Sequence, residues 1–240
     1  MSVACKHSYR LHCAGRQSTA RVTADTAKFV ATPHGIERMS SDHAALILAA
    51  GAGRRLGRSK QLLMRDGEPL LRRFARLALQ TAPRRCVVVL GAEADALTDV
   101  LQGLEVEVLR HGNWSAGMGS SLAALRHYVQ DDTTLRRSLI LGCDQPALDA
   151  PHLRALLEEA GHAASGCATS GYAGVRGIPA VVTHAAWADV PLQADSGLRG
   201  LFASLDVQTL GCVSAPALAL DVDTPTDLAA AQQRGWVDAD

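Results

Sequence analysis

A chain of 240 residues in which 24 Lys and Arg balance 24 Asp and Glu carries no net formal charge, which removes any general electrostatic pull toward nucleic acid or an anionic membrane. Hydrophobic residues make up 48% of it and aromatics 4%, so the core is expected to be aliphatic and rich in alanine. No apolar run reaches the roughly 20 residues of a membrane span, there is no secretion-signal pattern and the six cysteines form no C-x-x-C pair, so reduced thiols and a cytoplasmic setting are expected.

Residues 1–42 mix Ser, Thr, Ala, Arg and His without helical or strand periodicity and are expected to be a poorly ordered extension. Cys5, His7, His12 and Cys13 have the right chemistry for zinc, but their spacing suits no common zinc module. Regular patterning begins near residue 44, and residues 43–240 are expected to form one domain. A buried strand over 44–49 runs into Ala50-Gly51-Ala52-Gly53-Arg54-Arg55-Leu56-Gly57-Arg58-Ser59-Lys60-Gln61. Small residues let the main chain approach a phosphate chain, and successive N–H groups in such a turn form an anion-binding concavity. Arginine forks and a lysine then supply charge. A P-loop needs G-x-x-x-x-G-K before Ser or Thr, which is absent. A dinucleotide fingerprint fails too, because its third glycine arrives one residue late, at Gly57.

Downstream, 61–65 reads as a short extended piece closed by the Asp66-Gly67 turn pair. Leu70, Leu71, Phe74, Leu77 and Ala78 repeat at helical spacing, with Arg72, Arg73 and Arg76 on the solvent side. The run Cys86-Val87-Val88-Val89-Leu90 has the look of a parallel strand covered on both faces, followed by a helix over 93–102 and a strand over 106–109. This alternation predicts an α/β fold: a three-layer, Rossmann-like, doubly wound and mostly parallel sheet. The glycine- and serine-rich loop from Asn113 to Leu122 opens a helix where a nucleoside could sit, with helix capping by Ser120 or Ser121 as the alternative.

Strand 138–143 ends in Asp144-Gln145-Pro146, which puts a hard oxygen ligand suited to Mg²⁺ where open α/β sheets bind ligands. A helix capped by Asp149 follows. Late glycine-rich structure around Gly177-Ile178-Pro179 and Asp195-Ser196-Gly197-Leu198-Arg199, with a helix over 198–205, is the expected place for an acceptor substrate. The chain closes with strands expected near 207–213 and 217–222, then a helix start in which Thr224, Pro225 and Asp227 form the cap. Two acids, Asp221 and Asp223, precede that start, and Asp223 is the candidate second Mg²⁺ ligand.

Together the pieces L-A-A-G-x-G-x-R-x-G through Lys60-Gln61, the Trp114–Leu122 loop, Asp144-Gln145-Pro146, Gly177-Ile178-Pro179, Asp195 to Arg199 and Asp223 to Asp227 resemble the molybdenum cofactor cytidylyltransferases within the wider MobA-like NTP transferases. The related guanylyltransferases usually carry a second glycine where this chain has Ala50. The resemblance implies transfer of CMP from CTP to a molybdopterin-type acceptor, with release of pyrophosphate and Mg²⁺ as cofactor. It implies Arg55, Lys60 and Asp144 as catalytic residues. Leu48, Ala49, Ala50, Gly51, Gly53, Arg55, Lys60, Gly119 and Ser120 would line the nucleotide, Asp144 and Asp223 the metal, and Gly177, Pro179, Asp195 and Arg199 the acceptor. Ala194 and Leu198 depart from the glycine and alanine that relatives often have, at the acceptor end. Two other readings stay open: a sugar- or polyol-phosphate nucleotidyltransferase, and a non-catalytic protein that holds nucleotide or cofactor for a molybdenum hydroxylase.

Overall fold

The computed structural model describes residues 41–188, 190–192 and 197–239, so residues 1–40 of the expected N-terminal extension, with its Cys/His set, lie outside the described residues. In chain order the elements are β1 (His43–Ala49), β2 (Met64–Arg65), β3 (Glu68–Pro69), α1 (Leu70–Leu79), β4 (Arg85–Leu90), α2 (Ala94–Val100), β5 (Glu107–Arg110) and α3 (Met118–Val129). There follow β6 (Arg137–Gly142), α4 (Ala150–His162), β7 (Ala168–Tyr172), β8 (Val175–Thr183), α5 (His184–Trp187), α6 (Arg199–Ser204), β9 (Gly211–Ser214) and α7 (Pro225–Gln233).

Seven strands form one sheet in the order β5-β4-β1-β6-β8-β7-β9. Pairings among β5, β4, β1 and β6 are parallel, and β7 pairs parallel with β9, so β8 alone runs against the rest. Side chains alternate across the sheet with the period of two that a strand imposes. Ala45, Ile47, Cys86, Val88 and Leu90 face a core with Phe74 of α1, Leu97 of α2, Leu153 of α4 and Leu228 of α7. Leu46, Val87 and Val89 face the opposite core, with Leu122 and Leu125 of α3, Trp187 of α5 and Leu201 of α6. A sheet with helices on both faces is the three-layer arrangement that the strand–helix alternation predicts. From β1 the chain goes to β4 and β5 on one side, and β6 joins β1 on the other. The crevice at such a reversal, past the carboxyl ends of the strands, is where open α/β sheets bind ligands.

Several elements differ from the sequence reading. Residues 60–62 form a 3-10 turn and only 64–65 are extended, in a hairpin with Glu68–Pro69. The turn between them puts Asp66 and Gly67 at φ 55° and 73°, the left-handed pair that Asp-Gly supplies most readily. Residues 216–219 form a 3-10 helix instead of a strand. Pro216 opens it, and Leu218 and Val222 are buried in the core beside β7 without the segment joining the sheet. Nor do the α1 arginines simply face water: Arg72 donates to the carbonyls of Val100 and Gln102, Arg76 grips Glu68, and Nε of Arg73 is buried without a partner among the described residues.

At the amino end of β1, His43 is 4% exposed. The Thr81 hydroxyl donates to Ala78 O, so it accepts from His43 Nε2–H at 3.0 Å, while Ser41 donates to His43 Nδ1 at 2.8 Å. Those partners suit a neutral ring, and burial followed by the nearby Arg137 charge lowers its pKa to about 4. Above pH 6.5 the ring is neutral whether folded or not. Between 6.5 and about 4 only the unfolded chain takes up the proton, so stability falls as pH falls, by up to about 3 kcal/mol. Urea unfolding at pH 7 and pH 4.5 should show that loss in the wild type and a smaller one in His43→Gln; equal losses in both would remove His43 as the cause.

Candidate active site

The loop after β1 is held by its own backbone. Gly53 sits at φ +59°, and a Cβ there would come 2.2 Å from Arg58 O, so only glycine closes this turn. Gly53 O accepts from the N–H groups of Leu56 and Gly57. At Gly51 a Cβ would meet nothing within 4 Å. No packing demand accounts for that glycine, and the space it leaves belongs to a cavity.

Gln61 ties the loop to the strand. It is 1% exposed, its amide donates to Ala49 O at 2.9 Å and Gly51 O at 2.8 Å, and its carbonyl accepts from the Ser59 hydroxyl. The sequence marks Gln61 only as part of a motif; its anchoring role depends on a tertiary contact. Gln61→Leu removes both donors and should lower the unfolding free energy by about 2–4 kcal/mol in denaturant titration. An unchanged midpoint would show that these carbonyls find other partners.

Lys60 follows from the same loop and is the hub of the site. Its ammonium donates to Asp144 at 2.9 Å and to Asp223 at 3.1 Å, and Arg55 donates to the other oxygen of Asp223 at 2.7 Å. Burial alone would lower the lysine pKa, but the charge and hydrogen bond of Asp144, then those of Asp223, hold it above its ordinary value. It is a permanent cation here.

Both acids are positioned by neighbours the sequence supplies. Asp144 follows β6, where a Cβ on Gly142 would lie 2.7 Å from Asp144 Oδ1, so glycine leaves the carboxylate its place. Val222 N donates to Asp144 O and the buried Gln145 donates to Leu218 O, stitching the 216–222 segment alongside. Asp227 then accepts from the N–H groups of Asp223 and Thr224 in the capping box of α7. The cap therefore does more than start a helix: it sets the position of Asp223. Asp221 has access to solvent, yet crowding on its protein side, then the Asp144 charge, raises its pKa to about 6.

Two cavities meet at this cluster. The first, about 410 Å³, is lined by Leu48, Ala50, Gly51, Arg55, Lys60 and Asp144, together with Arg54, Trp114, Met118 and Ser121. The second, about 310 Å³, is lined by Tyr172, Arg176, Gly177, Arg199 and Asp221 among others. Leu48, Met118, Asp144 and Ile178 border both.

Several expected site residues stand outside the linings. Ala49 and Gly53 shape the loop through backbone bonds. Gly119 and Ser120 lie in the first turn of α3 with the Ser120 hydroxyl against His111, Asn113 O and Gly117 O, while Ser121 reaches the first cavity. Neither Ser120 nor Ser121 caps α3, whose N-cap is Gly117. The Pro179 carbonyl accepts from Ser170, away from the second cavity, which Gly177 and Arg199 line. Asp195 and Ala194 lie outside the described residues. Unanticipated lining comes from Trp114, whose ring has the Arg54 guanidinium 5.8 Å from its centroid, and which packs where any side chain on Gly91 would collide.

The arrangement can neutralise a polyphosphate with Arg55 and Lys60 and offer a cation two carboxylates. Among the described residues no group of three or more His, Cys, Asp or Glu side chains forms a self-sufficient metal site. A Mg²⁺ ion typically takes one or two carboxylates and completes its shell with water and substrate phosphate, which is what this pair offers.

Residues 45–209 match the MobA-like NTP transferase domain. The chain belongs to that family. This MobA-like nucleotidyltransferase is 32% identical over 198 residues to a probable molybdenum cofactor guanylyltransferase of Synechococcus elongatus, spanning 79% of this chain and 97% of that one. It is also 32% identical over 163 residues to the nicotine blue oxidoreductase of Paenarthrobacter nicotinovorans, spanning 66% of this chain and 74% of that protein. Among solved structures, a nucleotidyl transferase from Methanothermobacter superposes with a TM-score of 0.67 at 22% identity, over 80% of this chain and 97% of that one. Its likeness establishes the fold. No helix among the described residues is long and apolar enough to cross a membrane.

Proposed function

We propose that this chain transfers CMP from CTP to the phosphate of a molybdopterin-type acceptor in the cytoplasm and releases pyrophosphate. The observation that carries the reading is the convergence of Lys60 on Asp144 and Asp223, with Arg55 on the latter, beside a cavity that Gly51, Arg55, Lys60 and Asp144 line. In this reading a nonbridging oxygen of the acceptor phosphate attacks the α-phosphorus. The bond from that phosphorus to the bridging oxygen breaks, and pyrophosphate takes the electron pair. A phosphate monoester is already ionised near neutral pH, so no side chain needs to remove a proton.

Such transfers depend on alignment and charge neutralisation. Lys60 and Arg55 stabilise the departing pyrophosphate, and the loop from Ala50 to Gly53 orients the chain of phosphates. Asp144 and Asp223 would hold Mg²⁺, which when bound supplies charge neutralisation at the α-phosphate. The second cavity, with Gly177 and Arg199, takes the acceptor.

The choice of CTP rests on Ala50. Ala50 lines the first cavity at the position where the guanylyltransferase pattern has a second glycine, and in this reading the added methyl takes room from the larger purine. Pyrophosphate release with CTP, GTP and ATP in competition, with and without molybdopterin, tests this: CTP should be preferred by at least about tenfold, a discrimination within reach of pocket contacts. A preference for GTP, the nucleotide expected of a guanylyltransferase such as the Synechococcus relative, would overturn the base assignment. Similarity to an oxidoreductase supports a second reading, a nucleotide- or cofactor-holding protein that serves a molybdenum hydroxylase. Nucleotide binding with no Mg²⁺-dependent pyrophosphate release would favour it.

A further inference from the structure

The second cavity contains a cation that the transfer scheme has not used. Nη1 of Arg176 is buried and has no hydrogen-bond partner among the described residues, and its residue lines that cavity. A guanidinium N–H removed from water without an acceptor is costly unless a ligand completes it.

Its position follows from the sheet. The pairing of β8 with β6 reaches Ile140↔Ala180, so residues 176–178 of β8 run on past it, toward the end of β6 that leads into Asp144. Arg176 lines the second cavity together with Ile178, which borders both cavities. Arg199, the first residue of α6, lines the same cavity from a different element. The acids bordering it are Asp144, which is engaged by Lys60, and Asp221, which makes no ion pair with either arginine among the described residues.

We propose that Arg176 and Arg199 form a clamp for the dianionic phosphate monoester of the acceptor, with Arg176 setting acceptor affinity. This rests on the reading of the second cavity as the acceptor's side. A planar guanidinium matches a pair of phosphate oxygens, and two of them on separate elements select a terminal phosphate over a singly charged or neutral group.

The test is Arg176→Gln, with Arg176→Lys and Arg199→Gln alongside should the first variant fold poorly. The KM for molybdopterin should rise about 10- to 100-fold in Arg176→Gln, the loss expected of a charged hydrogen bond, while kcat at saturating acceptor stays within about threefold and CTP affinity is unchanged. Arg176→Lys should fall between. A merely structural arginine would not separate the two substrates in this way. Independently of turnover, inorganic phosphate titrated into protein saturated with a non-hydrolysable CTP analogue should bind the wild type and bind Arg176→Gln at least about tenfold more weakly. Equal phosphate binding in the two proteins, no binding by the wild type, or an unchanged acceptor KM would overturn the clamp. A wild type that releases no pyrophosphate with molybdopterin would instead overturn the transfer reading, and the phosphate titration would still decide on Arg176.

Discussion

Lys60→Ala is expected to lower the turnover of pyrophosphate release on the order of 10²- to 10³-fold, the usual loss when one preorganised charge is removed from a transition state. The residue holds a cation in the lining of the first cavity, beside the Asp144 that borders both, kept protonated by two carboxylates at 2.9 and 3.1 Å. Its side chain is 16% exposed, so little water is available to take over its task. Far-ultraviolet circular dichroism should be unchanged, because Gln61 and not Lys60 ties the loop to β1. Lys60→Arg should recover only part of the rate: a planar fork does not reproduce a compact ammonium seated between two acids. Wild-type turnover in Lys60→Ala would remove the lysine from the chemistry.

Asp144→Asn should lose a comparable factor, again on the order of 10²- to 10³-fold. The substitution keeps the shape that Gly142 makes room for and removes only the charge. It also alters the pH profile in a direction that can be stated beforehand. Burial lowers the Lys60 pKa, and the Asp144 charge is the largest influence opposing it. Without that charge the lysine loses its proton at lower pH than in the wild type, so the residual activity of Asp144→Asn should fade at an alkaline pH that the wild type tolerates. A variant with low activity and an unshifted alkaline limb would keep Asp144 in the site but deny that it sustains the Lys60 charge.

What could be read from the sequence was what is written locally. The apolar run of β1, the loop from Gly51 to Lys60, the acid at the end of β6 and the capping box at Thr224 each depend on neighbours within a few residues. The convergence of the first three then follows from the rule that parallel strands present their carboxyl ends to one crevice, whereas the capping box is brought there by the contacts of Asp144 and Gln145 with the 218–222 segment. Features decided by distant parts of the chain were not legible. The reversed direction of β8 leaves no trace in an apolar run, because a strand covered on both faces looks the same in either direction. The segment 217–222 alternates as a strand does, yet Pro216 starts a 3-10 turn and Gln145 holds it from below. Ser121 rather than Ser120 reaches the cavity because α3 begins at Met118, and shifting that start by one residue would turn a different serine inward. Arg176 gave no signal beyond its letter, since its lack of a partner depends on a cavity built by other elements.

The account stands or falls on where the phosphates of the nucleotide go. CTP labelled at the α-phosphate or at the γ-phosphate, incubated with molybdopterin and Mg²⁺, separates the possibilities in one measurement. The α-label should move to the acceptor and the γ-label should leave in pyrophosphate, with both transfers abolished by chelation. Appearance of the γ-label on the acceptor or as orthophosphate, or label transfer that persists without metal, would contradict the assignment of Lys60, Asp144 and Asp223 to a single metal-bound polyphosphate.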